Sequence, residues 1–187
     1  MHGSASELAA SIDDAIWPEL ARLARQFIAA VPGAIPPAIA QLVPLTKSSL
    51  PVQPCLRDVW HDHVLFSGAQ VTGIIDYGAV DIDTPATDVA RLLGSLSPFP
   101  FSEGLGEGLG LPDESKINSP WRAGLAAYAA VRPLSDAEQR AVGALDTAAT
   151  ILAGCNWIRW IYVEGRSFEN QTSIIERFRR LLRRLNV

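Results

Sequence analysis

Asp58 and Asp76 each stand at the edge of a short apolar stretch. The first lies in Leu56-Arg57-Asp58-Val59-Trp60-His61-Asp62-His63-Val64-Leu65-Phe66, the second in Ile74-Ile75-Asp76-Tyr77-Gly78. Two such acids suit phosphoryl transfer, in which one carboxylate accepts the proton of an attacking hydroxyl and another holds the divalent metal that offsets the phosphate charge. Facing one substrate requires that the chain bring them together. Residues 64–66 and 71–75 are β-branched and aromatic, and Ser67-Gly68-Ala69-Gln70 between them has turn composition, so the stretch predicts a β-hairpin. Asp58 precedes the first strand and Asp76 follows the second. Both carboxylates should therefore emerge at the same end of the ribbon.

The order of these residues resembles the catalytic core of the aminoglycoside phosphotransferase and choline kinase-like family. That pattern is His-Gly-Asp-x-x-x-x-Asn, a hairpin, Ile-Asp-Phe/Tyr-Gly, then Asp-Pro-Ala-x-Asp-x-Ala at a helix start. Here it reads Leu56-Arg57-Asp58, His63 in the place of Asn, Ile75-Asp76-Tyr77-Gly78, and Asp83-Thr84-Pro85-Ala86-Thr87-Asp88-Val89-Ala90. The resemblance implies that Asp58 is the catalytic base, Asp76 the main magnesium ligand, and Asp88 a buried acid bonding backbone groups of the catalytic loop. It also implies Mg2+ and ATP as cofactors and a small molecule with a hydroxyl as acceptor. Leu56 departs from the motif His and His63 from the second metal ligand. An imidazole suits transition ions better than magnesium, so His63 either binds metal or bonds Asp58 or a loop carbonyl and orients the loop.

A site of this kind takes its nucleotide from a strand-rich N-terminal lobe carrying a lysine. The chain has two lysines, Lys47 in loop-like sequence and Lys116, and neither lies in a β-branched run. Residues 1–57 have mostly helical spacing. The expectation is an α+β, mainly α fold: the C-terminal lobe of the protein kinase-like fold, with helices around a short catalytic-loop hairpin and the N-terminal lobe absent. That lobe would come from a partner chain or an upstream reading frame. The expected function is ATP-dependent phosphoryl transfer to a substrate hydroxyl. Two other readings stay open: a non-catalytic, pseudokinase-like binding module, and a metal-dependent hydrolase built from His61, His63, Asp58 and Asp76.

Elsewhere, helical spacing covers residues 7–16 and 18–31, and a proline-rich connection over 32–54 leaves room for one helix at 37–43. Thr84 and Pro85 open a helix to 96, and Ser119-Pro120 opens another to about 130. Ser135-Asp136-Ala137-Glu138 is a capping box for a helix running to about Glu164, before Gly165. Residues 97–118 read as a loop. Their Gly104-Leu105-Gly106-Glu107-Gly108-Leu109-Gly110 follows no strand and has no lysine after it, so a phosphate-cradling role is not assigned. Trp121, Tyr128, Trp157, Trp160 and Tyr162 are either core or the walls of a pocket for a cationic amine. The final helix, 172–185, alternates apolar residues with arginines and presents a solvated basic face.

The 187 residues are 48% hydrophobic and 19% charged, with mean hydropathy +0.15, which fits a single domain over 1–187 with an apolar face left for a partner. The net charge of −4 gives no general attraction for nucleic acid. There is no unbroken apolar run of membrane length and no secretory pattern at the start, so the expected setting is cytoplasmic, without membrane. Cys55 and Cys155 lack metal-site spacing and read as buried free thiols.

Overall fold

The computed structural model describes residues 5–15, 17–96 and 120–186. The loop expected over 97–118, with its glycine-rich run, and the cap at Ser119 lie outside them. The chain is mostly helical with two small antiparallel sheets, and it gathers into two compact units, Met1–Ile39 with Ala148–Val187, and Ala40–Thr147.

In the first unit, α1 (Ala5–Ser11) ends earlier than its spacing predicts, because Asp13 accepts a hydrogen bond from the Ala15 amide and turns the chain. The next helix, α2, spans Pro18–Leu42 and so continues through Pro32, Pro36 and Pro37, where the sequence predicted a connection. Each interior proline removes one ladder hydrogen bond. All three are exposed, so water can serve the freed carbonyls, while Val31 and Ala38 stay buried on the inner face and hold the helix to its unit. Leu20, Phe27 and Val31 of α2 meet Ile151 and Ile158 of α5 (Asp136–Ile158) and Ile174, Phe178 and Leu182 of α6 (Gln171–Arg184). Phe27 and Phe178 meet edge to face at 6.1 Å. Gly154 lies so close to Phe27 that a Cβ there would come within 2.1 Å of the ring, which explains the glycine.

The long helix predicted to reach Glu164 does so with a change of winding, since residues Arg159–Val163 form a π-turn in which the Glu164 amide bonds the Arg159 carbonyl. Gly165, at φ +64°, ends it. Asn170 caps α6 by accepting from the Ser173 amide. By length and composition, Pro18–Lys47 and Asp136–Val163 are long and apolar enough to cross a membrane, although neither is an unbroken apolar run.

The second unit carries β1 (Gln53–Cys55) paired with β4 (Asp81–Asp83), and the hairpin β2 (Val64–Ser67) with β3 (Gln70–Ile74). The hairpin falls where its pattern placed it. Ser67 pairs with Gln70 across Gly68-Ala69, and Gly68 sits at φ +60°, as the first position of a type II′ turn requires. Its core joins α3 (Pro85–Leu96), α4 (Pro120–Val131) and the first turns of α5 through Ala86, Val89, Leu93, Trp121, Ala141 and Val142. Thr84 stands at the helix-cap position, but its hydroxyl is buried without a hydrogen bond. Leu65, Phe66 and Val71 are all exposed, so both faces of the hairpin are open. Cys55 is buried and Cys155 partly so; both are free thiols, and burial pushes both up.

The capping box forms as predicted. The Ser135 amide donates to Glu138 at 2.9 Å, and the Glu138 amide returns to the Ser135 hydroxyl at 3.3 Å. The Ser135 amide holds the buried Glu138 carboxyl below its usual range, helped by Arg132. A depressed carboxylate contributes stability that is complete above its unfolded value and lost as pH falls through its folded one. Glu138→Gln should therefore lower the melting temperature most at neutral pH, with the gap to wild type narrowing in acid. A gap independent of pH between 7 and 3 contradicts this.

Candidate functional site

Asp58 and Asp76 flank the hairpin, and its geometry brings them to one end. Residues 56–60 form the loop into β2, while Asp76 follows β3. The join is made by backbone and imidazole. The Ile75 amide donates to the His63 carbonyl at 2.9 Å. His63 Nδ1 lies 3.0 Å from the Asp58 carbonyl, and its Nε2 lies 3.8 Å from Asp76 Oδ2. A carbonyl only accepts, so Nδ1 carries the proton, and in the neutral ring Nε2 presents its lone pair toward Asp76. Of the two roles left open for His63, loop orientation is thus present in the hydrogen bonds, and its other nitrogen still faces the acid.

Arg57 and Asp76 have left-handed backbones, with φ +62° and +65°. That conformation is uncommon outside glycine and clusters at functional sites. Around Asp76, the Gly78 amide reaches Oδ1 at 3.4 Å and the Tyr77 hydroxyl bonds the Ile74 carbonyl. Around Arg57, the guanidinium pairs with Asp81 at 3.1 Å and Asp83 at 3.4 Å, which ties the loop to β4. The strand that supplies both acids was not anticipated from the sequence.

One face of α3 carries the loop. Residues three and four apart on a helix lie together, and here Asp88, Arg91 and Ser95 do so. Asp88 accepts from the Leu56 amide at 2.9 Å and the Arg57 amide at 2.7 Å, the role the motif implies, though the acid is only half-buried. Arg91 pairs with Asp58 Oδ1, and the same oxygen accepts from Trp60 Nε1 at 3.0 Å. The Ser95 hydroxyl accepts from the His61 amide at 2.9 Å. Sequence reasoning missed Trp60 and Arg91; the available signal was helical phase, since Arg91 lies three residues after Asp88. Asp88→Ala strips two loop amides of their acceptor, at a cost of about 1 to 3 kcal/mol, so its melting temperature should fall. One equal to wild type would contradict this placement.

Behind the loop, an apolar cavity of about 180 Å³ is bounded by Leu56, Val59, Ile74, Val89, Leu93 and Tyr128. Leu56, in the place of the motif His, suits that lining.

His61 turns to Asp62 at 3.0 Å, and among the described residues no three His, Cys, Asp or Glu stand close enough to hold a metal ion. A catalytic zinc takes three protein ligands, so the hydrolase reading lacks its ligand set there. The aromatic residues considered for a cationic-amine pocket divide between the two units. Trp121 is core in the second unit, with Tyr128 packed against it. In the first unit, Arg177 lies over Trp157 at 5.0 Å and Arg166 over Trp160 at 5.1 Å, so the chain's own guanidinium groups take the cation positions.

The chain matches the phosphotransferase enzyme family over residues 4–134 and is a member of it, a phosphotransferase of the kinase-like kind. No curated protein and no solved structure matches it.

Proposed function

We propose that the chain transfers the γ-phosphoryl group of ATP to a hydroxyl of a small molecule, with the second unit acting as the C-terminal lobe of a protein kinase-like fold. The observation that carries this reading is the tie through His63, which ends β2 and β3 with Asp58 and Asp76 at one edge of a family-type loop. Asp58 accepts the hydroxyl proton as the substrate oxygen bonds the γ-phosphorus; the bond to the β–γ bridging oxygen breaks and ADP leaves. Asp76, its side chain 60% exposed, would hold a hard divalent cation. When bound, that cation supplies neutralisation of phosphate charge. His63 Nε2 offers a nitrogen beside Asp76, a donor that favours manganese over magnesium. The hairpin leaves Leu65 and Phe66 open.

The non-catalytic reading draws on Leu56 and on the Arg91 pairing at Asp58. Metal dependence separates the two. Phosphate transfer from ATP should run faster with Mn2+ than with Mg2+ in wild type, and His63→Asn, which restores the oxygen donor of the motif, should reverse or erase that preference. No transfer with either cation, in either protein, contradicts the enzymatic reading and favours a binding module.

A further inference from the structure

We infer that Trp60 and Arg91 form a positioning pair for the catalytic base, fixing one oxygen of Asp58 so that the other faces the acceptor hydroxyl. The inference rests on the function proposed above. Its basis is a convergence on a single atom: Asp58 Oδ1 accepts from Trp60 Nε1 at 3.0 Å and pairs with the Arg91 guanidinium. Among the described residues Oδ2 takes no hydrogen bond, and 45% of the Asp58 side chain is exposed. The two donors also hold each other, because the Arg91 guanidinium stacks 5.3 Å from the centre of the Trp60 ring. Among the described residues Asp58 is the only ion-pair partner of Arg91, and its Nε is buried without a hydrogen bond, so the guanidinium is committed to this carboxylate.

The cation and the loop share one support. Arg91 stands between Asp88, which holds the Leu56 and Arg57 amides, and Ser95, which holds the His61 amide. A carboxylate on a loop otherwise rotates about its side-chain torsions, and small misplacement of a reacting group costs large factors in rate. Neither Trp60 nor Arg91 reaches the substrate in this account; both act through Asp58.

The test uses the full chain with phosphate release from Mg-ATP as probe. Trp60→Phe and Arg91→Ala should each lower kcat about ten- to a hundredfold while KM for Mg-ATP stays within about twofold. The double variant should be no slower than the worse single one, because both donors serve one oxygen. Guanidinium ion added to Arg91→Ala should recover turnover, and methylammonium should not, since only the planar fork matches the site. Arg91→Lys, which keeps the charge but not the fork, should stay slow and folded.

A second readout does not depend on activity. The chain's 5 tryptophans give separate indole N–H resonances, and Trp60→Phe identifies the one at this site. That resonance should shift in both Asp58→Asn and Arg91→Ala. An unmoved resonance, or losses that multiply in the double variant, overturns the positioning pair. Wild type without turnover counts against the phosphotransferase reading instead, and the indole signal alone then decides: a shift supports the pair and no shift removes it.

Discussion

Asp58→Asn should lower kcat for phosphate transfer by about 10²- to 10⁴-fold, the range of a positioned general base, with little change in melting temperature. The asparagine carbonyl still accepts from Trp60 Nε1, which reaches the wild-type carboxylate at 3.0 Å, so the loop keeps its shape while the base is lost. Nucleotide affinity should persist, because Asp58 acts on the acceptor side. Single-turnover transfer with saturating Mg-ATP checks this directly. A rate equal to wild type removes Asp58 from the chemistry and leaves its pairing with Arg91 as a structural contact.

Asp76→Asn should have an effect of similar size, about 10²- to 10³-fold in turnover, the loss typical when one preorganised group is removed from developing charge. Asparagine is chosen over alanine because residue 76 sits at φ +65°, a conformation that asparagine adopts nearly as readily as aspartate and alanine does not. The substitution thus removes charge without adding backbone strain. Its signature differs from that of Asp58→Asn: the amount of divalent cation needed for half-maximal rate should rise. Excess Mn2+ should recover part of the activity, and an unchanged cation requirement with normal turnover would take Asp76 out of the metal site.

How far the sequence led depends on how local each signal was. The hairpin followed from β-branched and aromatic runs on either side of a turn-forming Ser67–Gln70, and the capping box at Ser135 from two residues three apart; both rest on neighbours in the chain. The role of Asp88 toward the Leu56 and Arg57 amides came from resemblance, since an acid at a helix start announces only a helix start. The continuation of α2 beyond residue 31 escaped because three prolines argue locally for an end, whereas buried Val31 and Ala38 and solvent at the outer face decide otherwise. The pairing of Gln53–Cys55 with Asp81–Asp83 escaped as well, because two of the three residues in Asp-Ile-Asp disfavour a strand; Arg57 reaching both acids gives those charges a purpose that only the fold displays. The placement of Trp60 and Arg91 on one oxygen of Asp58 depends on the seating of the loop against α3, which no spacing within the loop encodes.

The most direct test of the central claim is transfer of the labelled γ-phosphate of ATP by the full chain with a divalent cation present, water serving as acceptor, in wild type, Asp58→Asn and Asp76→Asn side by side. Wild type should release labelled phosphate in a reaction that chelation abolishes, and both variants should lose it at unchanged melting temperature. Release equal in all three proteins, or none from wild type with either Mg2+ or Mn2+, would contradict the claim.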